Sequence, residues 1–146
     1  MENNFNFDIT ATSVFRSYKL WSFPLFRYAN IINAEHMEPV TMDELERRLA
    51  AGEIELLDVR EADERDDGFI PGSSHLPYRT ARQAAENGLC GEKPIVTICE
   101  SGPRAAIAAS VLHAAGLDAR PVLDGGVATW RARGHETTSF RRCGGS

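Results

Sequence analysis

The sequence Pro94-Ile95-Val96-Thr97-Ile98-Cys99-Glu100-Ser101-Gly102-Pro103-Arg104 decides how this chain folds. Its first half is a short apolar run typical of a buried strand, and the alanine-rich segment that follows, residues 105–115, is typical of a helix. The junction predicts a strand that ends at Cys99 and a helix that begins directly after the loop. Unpaired N–H groups and the positive end of the helix dipole favour an anion at such a place. We therefore expect the sulfur of Cys99 to be a thiolate, and hence a nucleophile.

Three residues of the loop suit the tight binding of an anion. Gly102 lets the backbone curl without a Cβ clash, and Pro103 fixes φ at the first helical position while lacking an N–H that has no helical partner. Arg104 opposes the helix dipole, which indicates a functional reason for its charge, and its planar donors suit an oxyanion of sulfur or phosphorus. The alternative interpretation of Cys99 is an inert core residue, because free cysteine is often buried.

Strands and helices alternate on both sides of this junction. A capping box at Thr41 and Glu44 predicts a first helix, which Gly52 ends. Residues 53–60 read as a strand covered on both faces, with Asp58 and Arg60 at its C-terminal end, and residues 61–77 as a connection with at most a turn or two of helix. A second capping box at Thr80 and Gln83 predicts another helix, which ends at Gly88. Gly116 is expected to end the helix that follows Cys99. A strand over 119–123 and a last helix over 127–132 complete the prediction. This order indicates an α/β fold with a parallel sheet, whose ligands bind beyond the carboxyl ends of the strands.

Length, charge and cysteine content limit the class of protein. The 146 residues, 42% of them hydrophobic, suit one globular domain, and the net charge of −5 argues against nucleic acid as a partner. Cys90, Cys99 and Cys143 include no CxxC pair, so we expect neither a disulfide framework nor a zinc site, and a reducing, cytoplasmic location is the simpler interpretation. Neither a secretory signal nor a transmembrane segment is predicted.

Residues 1–36 differ in composition from the rest and contain most of the aromatic residues. We interpret them as an extension to a domain over residues 40–142. The extension either covers the domain or a second copy of the chain, which allows self-association, or is partly disordered. The alternative is that it contacts a membrane surface through its aromatic and basic residues.

Four segments, in this order, resemble the rhodanese family of sulfurtransferases: residues 56–61 (LLDVRE), 68–72 (GFIPG), 99–105 (CESGPRA) and 123–130 (LDGGVATW). The resemblance implies a single rhodanese-like domain with a small, mostly parallel sheet flanked by helices on both faces. It also implies a sulfurtransferase that moves a sulfane sulfur from a small donor, thiosulfate or a persulfide, to cyanide or a thiol acceptor, including the thiol of a protein. No metal or organic cofactor is implied.

The same resemblance assigns roles to individual residues. Cys99 carries the sulfur as a persulfide, and the cradle around it consists of Glu100, Ser101, Gly102, Pro103, Arg104 and Ala105. Asp58 and Arg60 match a strand-end pair that is expected to support the loop rather than to take part in bond making. Two positions depart from the family pattern: Phe69 replaces the usual histidine, and Arg65 stands where an aromatic residue is common. We interpret both as packing changes.

Glu100 and the loop length bear on the choice of substrate. The carboxylate of Glu100 is expected to cancel the charge of Arg104 and to oppose the doubly anionic thiosulfate, which favours a neutral or thiol-bound persulfide donor. Two other functions remain open. One is a cysteine phosphatase or arsenate reductase, although the related phosphatases have a loop one position longer. The other is a non-catalytic rhodanese-like module that binds a partner or senses oxidation through Cys99.

Overall fold

A computed structural model describes residues 37–140 of the chain. The predicted extension over residues 1–36 and the tail that contains Cys143 lie outside the described residues. The fold is built on four parallel strands, in the order β2–β1–β3–β4 across the sheet. Their bounds are β1 (Glu55–Asp58), β2 (Ser74–His75), β3 (Ile95–Ile98) and β4 (Ala119–Pro121). The predicted α/β class with a parallel sheet is confirmed.

Within the described residues, five α-helices accompany the sheet: α1 (Met42–Ala50), α2 (Ala62–Asp66), α3 (Ala81–Glu86), α4 (Pro103–Ala114) and α5 (Val127–Ala132). Successive side chains of a strand point to opposite faces, so β3 contributes to two apolar clusters. Val96 and Ile98 lie in the cluster that contains residues of α1 and α5, whereas Ile95 and Cys99 lie in the cluster that contains residues of α3 and α4. Helices therefore cover both faces of the sheet, as expected.

The segment over residues 61–77 holds more structure than its composition indicates. It contains α2 and also β2, a strand of two exposed residues that pairs with β1. The predicted capping box at Thr80 is wrong. Thr80 closes a 3-10 turn, Tyr78–Thr80, with helical dihedral angles, and its hydroxyl donates back to the carbonyl of Pro77 at 2.8 Å instead of capping α3.

The other helix signals agree with the structure. The Thr41 hydroxyl accepts a hydrogen bond from the backbone of Glu44, and Gly52, Gly88 and Gly116 all have positive φ after the helices they end. Within residues 37–140, none of the helices is long and apolar enough to cross a membrane.

Gly126 lets the start of α5 pack closely against the chain that follows β3. The backbone N–H of Val127 donates to the carbonyl of Cys99 at 2.9 Å. A Cβ at position 126 would lie 2.3 Å from the carbonyl oxygens of both Cys99 and Glu100, which is far inside van der Waals contact. The close packing of α5 against the loop after β3 therefore requires glycine at position 126.

The substitution Gly126→Ala is expected to lower the free energy of unfolding by about 3 kcal/mol, because backbone on both sides of the contact must move apart. The midpoint and slope of urea denaturation measure this change. Gly52→Ala is the matched control: its Cβ meets nothing within 4 Å, and only its φ of +68° opposes alanine. We expect the control to cost about 1–2 kcal/mol; equal costs for the two variants would contradict the close approach at Gly126.

Candidate active site

Cys99 lies at the carboxyl end of β3, on the face of the sheet that packs against α4. The residue is 1% exposed. Its Sγ accepts a hydrogen bond from the backbone N–H of Gly102 at 3.0 Å, and Gly102 is the residue that precedes the first turn of α4. A φ of +119° at Gly102 gives the loop this turn, and an L side chain rarely adopts that conformation. The geometry places a sulfur atom at the positive end of a twelve-residue helix.

The other residues of the loop differ in exposure. Ser101 and Pro103 are exposed, and Glu100 and Arg104 are partly buried. Ala105 is fully buried, and its carbonyl accepts a hydrogen bond from the Thr97 hydroxyl at 2.8 Å. This bond joins the first turn of α4 to β3 and so fixes the position of the helix relative to Cys99.

Asp58 and Arg60 form a buried ion pair at the end of β1, and both are 1% exposed. The guanidinium Nη2 of Arg60 donates to Asp58 at 2.7 Å, and the Nε donates to the same carboxylate at 3.0 Å. Arg60 also donates to the carbonyls of Glu64 and Gly68 and to the carboxylate of Glu100. Burial lowers the pKa of Arg60, but its hydrogen bond to Asp58 and the charge of Asp58 outweigh burial and raise that pKa. Arg60 therefore stays charged and connects the end of β1 to the cysteine loop.

Arg104 does not present a free charge at the rim, because Glu64 of α2 binds it. The two terminal guanidinium nitrogens of Arg104 donate to the two carboxylate oxygens of Glu64, one of them at 2.7 Å. The hydrogen bond from Arg104 lowers the pKa of Glu64 to about 2, and the same bond raises the pKa of Arg104. An electrostatic interaction with Cys99 also contributes to the raised pKa of Arg104. The guanidinium is thus within electrostatic range of the sulfur and is already paired.

Glu100 contacts two other arginines, so the expectation that it cancels the charge of Arg104 is wrong. Its Oε2 accepts a hydrogen bond from Arg60 at 3.1 Å, and its Oε1 accepts one from Arg131 of α5 at 3.4 Å. The sequence reasoning paired Glu100 with Arg104 because the two residues are close along the chain. In the fold, the loop turns Glu100 towards β1 and α5, while Arg104 faces α2.

The two departures from the family pattern contact each other. The Arg65 guanidinium lies 3.9 Å from the centre of the Phe69 ring. The Phe140 ring also stacks on Phe69, with 5.0 Å between the ring centres. Arg65 also donates to Asp58 at 3.3 Å and to the Ser73 carbonyl at 2.7 Å. Arg65 therefore packs on an aromatic ring and adds a second cation to the buried carboxylate of Asp58.

Sequence reasoning missed Glu64 and Arg131, and it missed the close approach of Gly126 to the loop. The three-residue spacing of Glu61 and Glu64 is a signal for the first of them, because these residues form a reciprocal cap at the start of α2. No local signal identifies Arg131 or Gly126, whose contacts arise only when α5 packs beside the loop. In the part of the chain that the structure describes, no group of three or more His, Cys, Asp or Glu side chains is placed to hold a metal ion.

Comparison with known proteins identifies the family. The model of the rhodanese-like domain matches residues 41–133, and the chain belongs to this family. Among solved structures, a rhodanese-related protein from Thermoplasma volcanium is 28% identical to this chain, with a TM-score of 0.62. The match covers 69% of this chain and 97% of the Thermoplasma chain. The human single domain sulfurtransferase TSTD1 is 27% identical with a TM-score of 0.57, covering 65% of this chain and 96% of its own.

A transcriptional regulator is also similar to this chain. The HTH-type transcriptional regulator Rv0324 of Mycobacterium tuberculosis is 37% identical over 100 residues, which cover 66% of this chain. The match spans 43% of the length of that regulator. The chain thus spans less than half the length of that regulator.

Proposed function

We propose that this protein is a sulfurtransferase in which Cys99 accepts a sulfane sulfur from a donor and passes it to a second nucleophile. The observation that carries the proposal is the hydrogen bond from the Gly102 N–H to the Cys99 Sγ at 3.0 Å, at the N-terminus of α4. Such a donor stabilises a negative charge on sulfur, both on the thiolate and on a persulfide. Similarity to the human single domain sulfurtransferase supports the same chemistry.

In the first step, the Cys99 thiolate attacks the terminal sulfur of the donor. With thiosulfate, a bond forms between Sγ and the sulfane sulfur, and the S–S bond of thiosulfate breaks with its electron pair leaving on sulfite. With a persulfide RSS⁻, the same attack releases the thiolate RS⁻. Each reaction leaves Cys99 as a persulfide anion, so no proton, oxidant or reductant is needed.

In the second step, an acceptor nucleophile attacks the outer sulfur of the Cys99 persulfide. A thiolate RS⁻ becomes RSS⁻, or cyanide becomes thiocyanate, and the electron pair of the broken S–S bond restores the Cys99 thiolate. The Gly102 N–H stabilises the charge on sulfur in both steps. Arg60, which is paired with Asp58, holds the loop through its hydrogen bond to Glu100. A reducing compartment, as expected of a cytoplasmic protein, keeps Cys99 free for the next turnover.

Burial of the sulfur favours sulfur transfer over phosphoryl transfer. Cys99 is 1% exposed beneath a short loop, and a sulfane sulfur reaches it as a single terminal atom. A phosphorus centre is surrounded by oxygens that all need donors at the moment of attack. The loop donates one backbone N–H to Sγ, and the guanidinium of Arg104 is already hydrogen-bonded to Glu64. Few donors are therefore left for the oxygens of a phosphoryl group.

A second candidate function is a sensing module, and the similarity to a transcriptional regulator favours it. In such a module, the modified Cys99 would signal to a partner and keep its modification until a separate reductant acts. In a sulfur carrier, by contrast, the sulfur passes directly from Cys99 to the acceptor.

One experiment tests the carrier and separates it from the sensor. After incubation with thiosulfate or cysteine persulfide, the intact wild-type protein is expected to gain the mass of one sulfur, and thiosulfate is expected to release one sulfite for each sulfur gained. Cyanide should then remove this sulfur as thiocyanate in a single turnover. Protein that stays unmodified with both donors would contradict the proposal. A modification that cyanide cannot remove would favour the sensing module.

A further inference from the structure

Five charged side chains around the cysteine loop pair with each other. Glu64 binds Arg104, with one hydrogen bond at 2.7 Å, and Glu100 lies between Arg60 at 3.1 Å and Arg131 at 3.4 Å. The Arg60 charge is in turn opposed by the buried Asp58. Each cation around the loop thus has a carboxylate within hydrogen-bond distance.

The pairing of Arg104 is the one that matters for an incoming donor. Arg104 occupies the second position of α4 and lies within electrostatic range of Cys99. A bidentate carboxylate is the strongest common partner of a guanidinium, because two parallel hydrogen bonds act together. With a pKa of about 2, Glu64 stays ionised at every pH at which an enzyme assay is practical, so protonation does not release Arg104.

We propose that Glu64 is a specificity-determining residue: by pairing with Arg104 it withdraws the cation that a doubly charged donor needs, and it directs the site towards persulfides carried on thiols. The inference rests on the proposed sulfur transfer and deepens it. Attack on thiosulfate expels sulfite, which leaves with two negative charges. Attack on a persulfide expels a thiolate, which leaves with one. A loop whose Arg104 is already paired with Glu64 disfavours the first reaction more than the second.

The variant Glu64→Gln tests this inference, because glutamine keeps the volume and the hydrogen-bonding oxygen but removes the charge. Rates of Cys99 loading are measured with thiosulfate and with cysteine persulfide, each as kcat/KM. We expect the ratio of thiosulfate to persulfide activity to rise about tenfold in the variant, because Arg104 becomes free to attract the dianion. Thiosulfate loading of the variant should also fall with added salt, as electrostatic attraction does.

The control variant is Glu53→Gln. Glu53 precedes β1 at the opposite end of the sheet, where its carboxylate lies 3.7–3.8 Å from Arg47 and Arg48. This change alters the net charge by the same amount and is expected to leave the donor ratio within about twofold of the wild type, since exposed charges beyond a Debye length are screened.

A second measurement needs no variant. Thiosulfate loading of the wild-type protein is expected to change by less than about twofold between low and high salt, because Arg104 is already paired with Glu64. A steep loss with salt, or an unchanged donor ratio in Glu64→Gln, would overturn the role of Glu64 while leaving sulfur transfer intact. Failure of the wild type to load sulfur from either donor would instead remove the proposed function itself.

Discussion

Cys99→Ser is expected to abolish sulfur loading and to lower the rate of thiocyanate formation by more than about a thousandfold. The hydroxyl of serine is a far weaker nucleophile than a thiolate and cannot form a persulfide. Intact mass spectrometry and sulfite release measure the loss, and circular dichroism shows whether the variant is folded. The change is small in volume, so the packing of α4 on β3 should survive.

Cys90→Ser is the matched control for this prediction. Cys90 is exposed and lines a separate cavity with Ile54 and Glu55, near the start of β1, whereas Cys99 lies at the carboxyl end of the sheet. We expect wild-type loading from this variant. Cys99→Ser protein that still gains one sulfur, or Cys90→Ser protein that gains none, would transfer the role of sulfur carrier to another residue.

The largest expected effect on stability belongs to Asp58→Asn. Asp58 is 1% exposed and accepts hydrogen bonds from the guanidinium groups of Arg60 and Arg65, which are also buried. Removing its charge leaves two cations in the interior without their main counter-charge, and breaking a buried pair in this way costs about 3–5 kcal/mol. Urea denaturation measures the loss.

Asp118→Asn is the corresponding surface control. The carboxylate of Asp118 lies 3.6 Å from Arg120, and each side chain is about half exposed. Exposed ion pairs contribute about 0–1 kcal/mol, so this variant should unfold close to the wild type. A cost below about 1 kcal/mol for Asp58→Asn would mean that Arg60 and Arg65 are adequately neutralised without Asp58.

Local patterns predict the central part of the fold well. The apolar run before Cys99, the Gly102-Pro103 pair and the alanine-rich segment act over a few residues each, so the strand, the loop and the helix can be predicted from their order. The rest depends on contacts that no local pattern contains. Strand β2 consists of two polar residues, and it forms because β1 offers unpaired backbone groups.

Some ion pairs of the candidate site can be predicted from local sequence, and others cannot. That Asp58 and Arg60 pair follows from their places at the end of one strand. Glu64 and Arg104 are forty positions apart and meet because α2 and α4 both approach the carboxyl end of the sheet. The partner of Glu100 was predicted wrongly for this reason. Which arginine meets which carboxylate depends on helix placement, and charge alone does not determine it.

The hydrogen bonds of Arg60 have a consequence for motion around the sulfur. A guanidinium has five N–H groups, and those of Arg60 are directed to Asp58, Glu64, Gly68 and Glu100, which belong to three separate segments of the chain. Any one segment can swing outward only by breaking bonds to a charge that is sealed from water. Movement of any of these segments away from Cys99 is therefore opposed by Arg60, and we expect the surroundings of the sulfur to keep their shape when reactants bind.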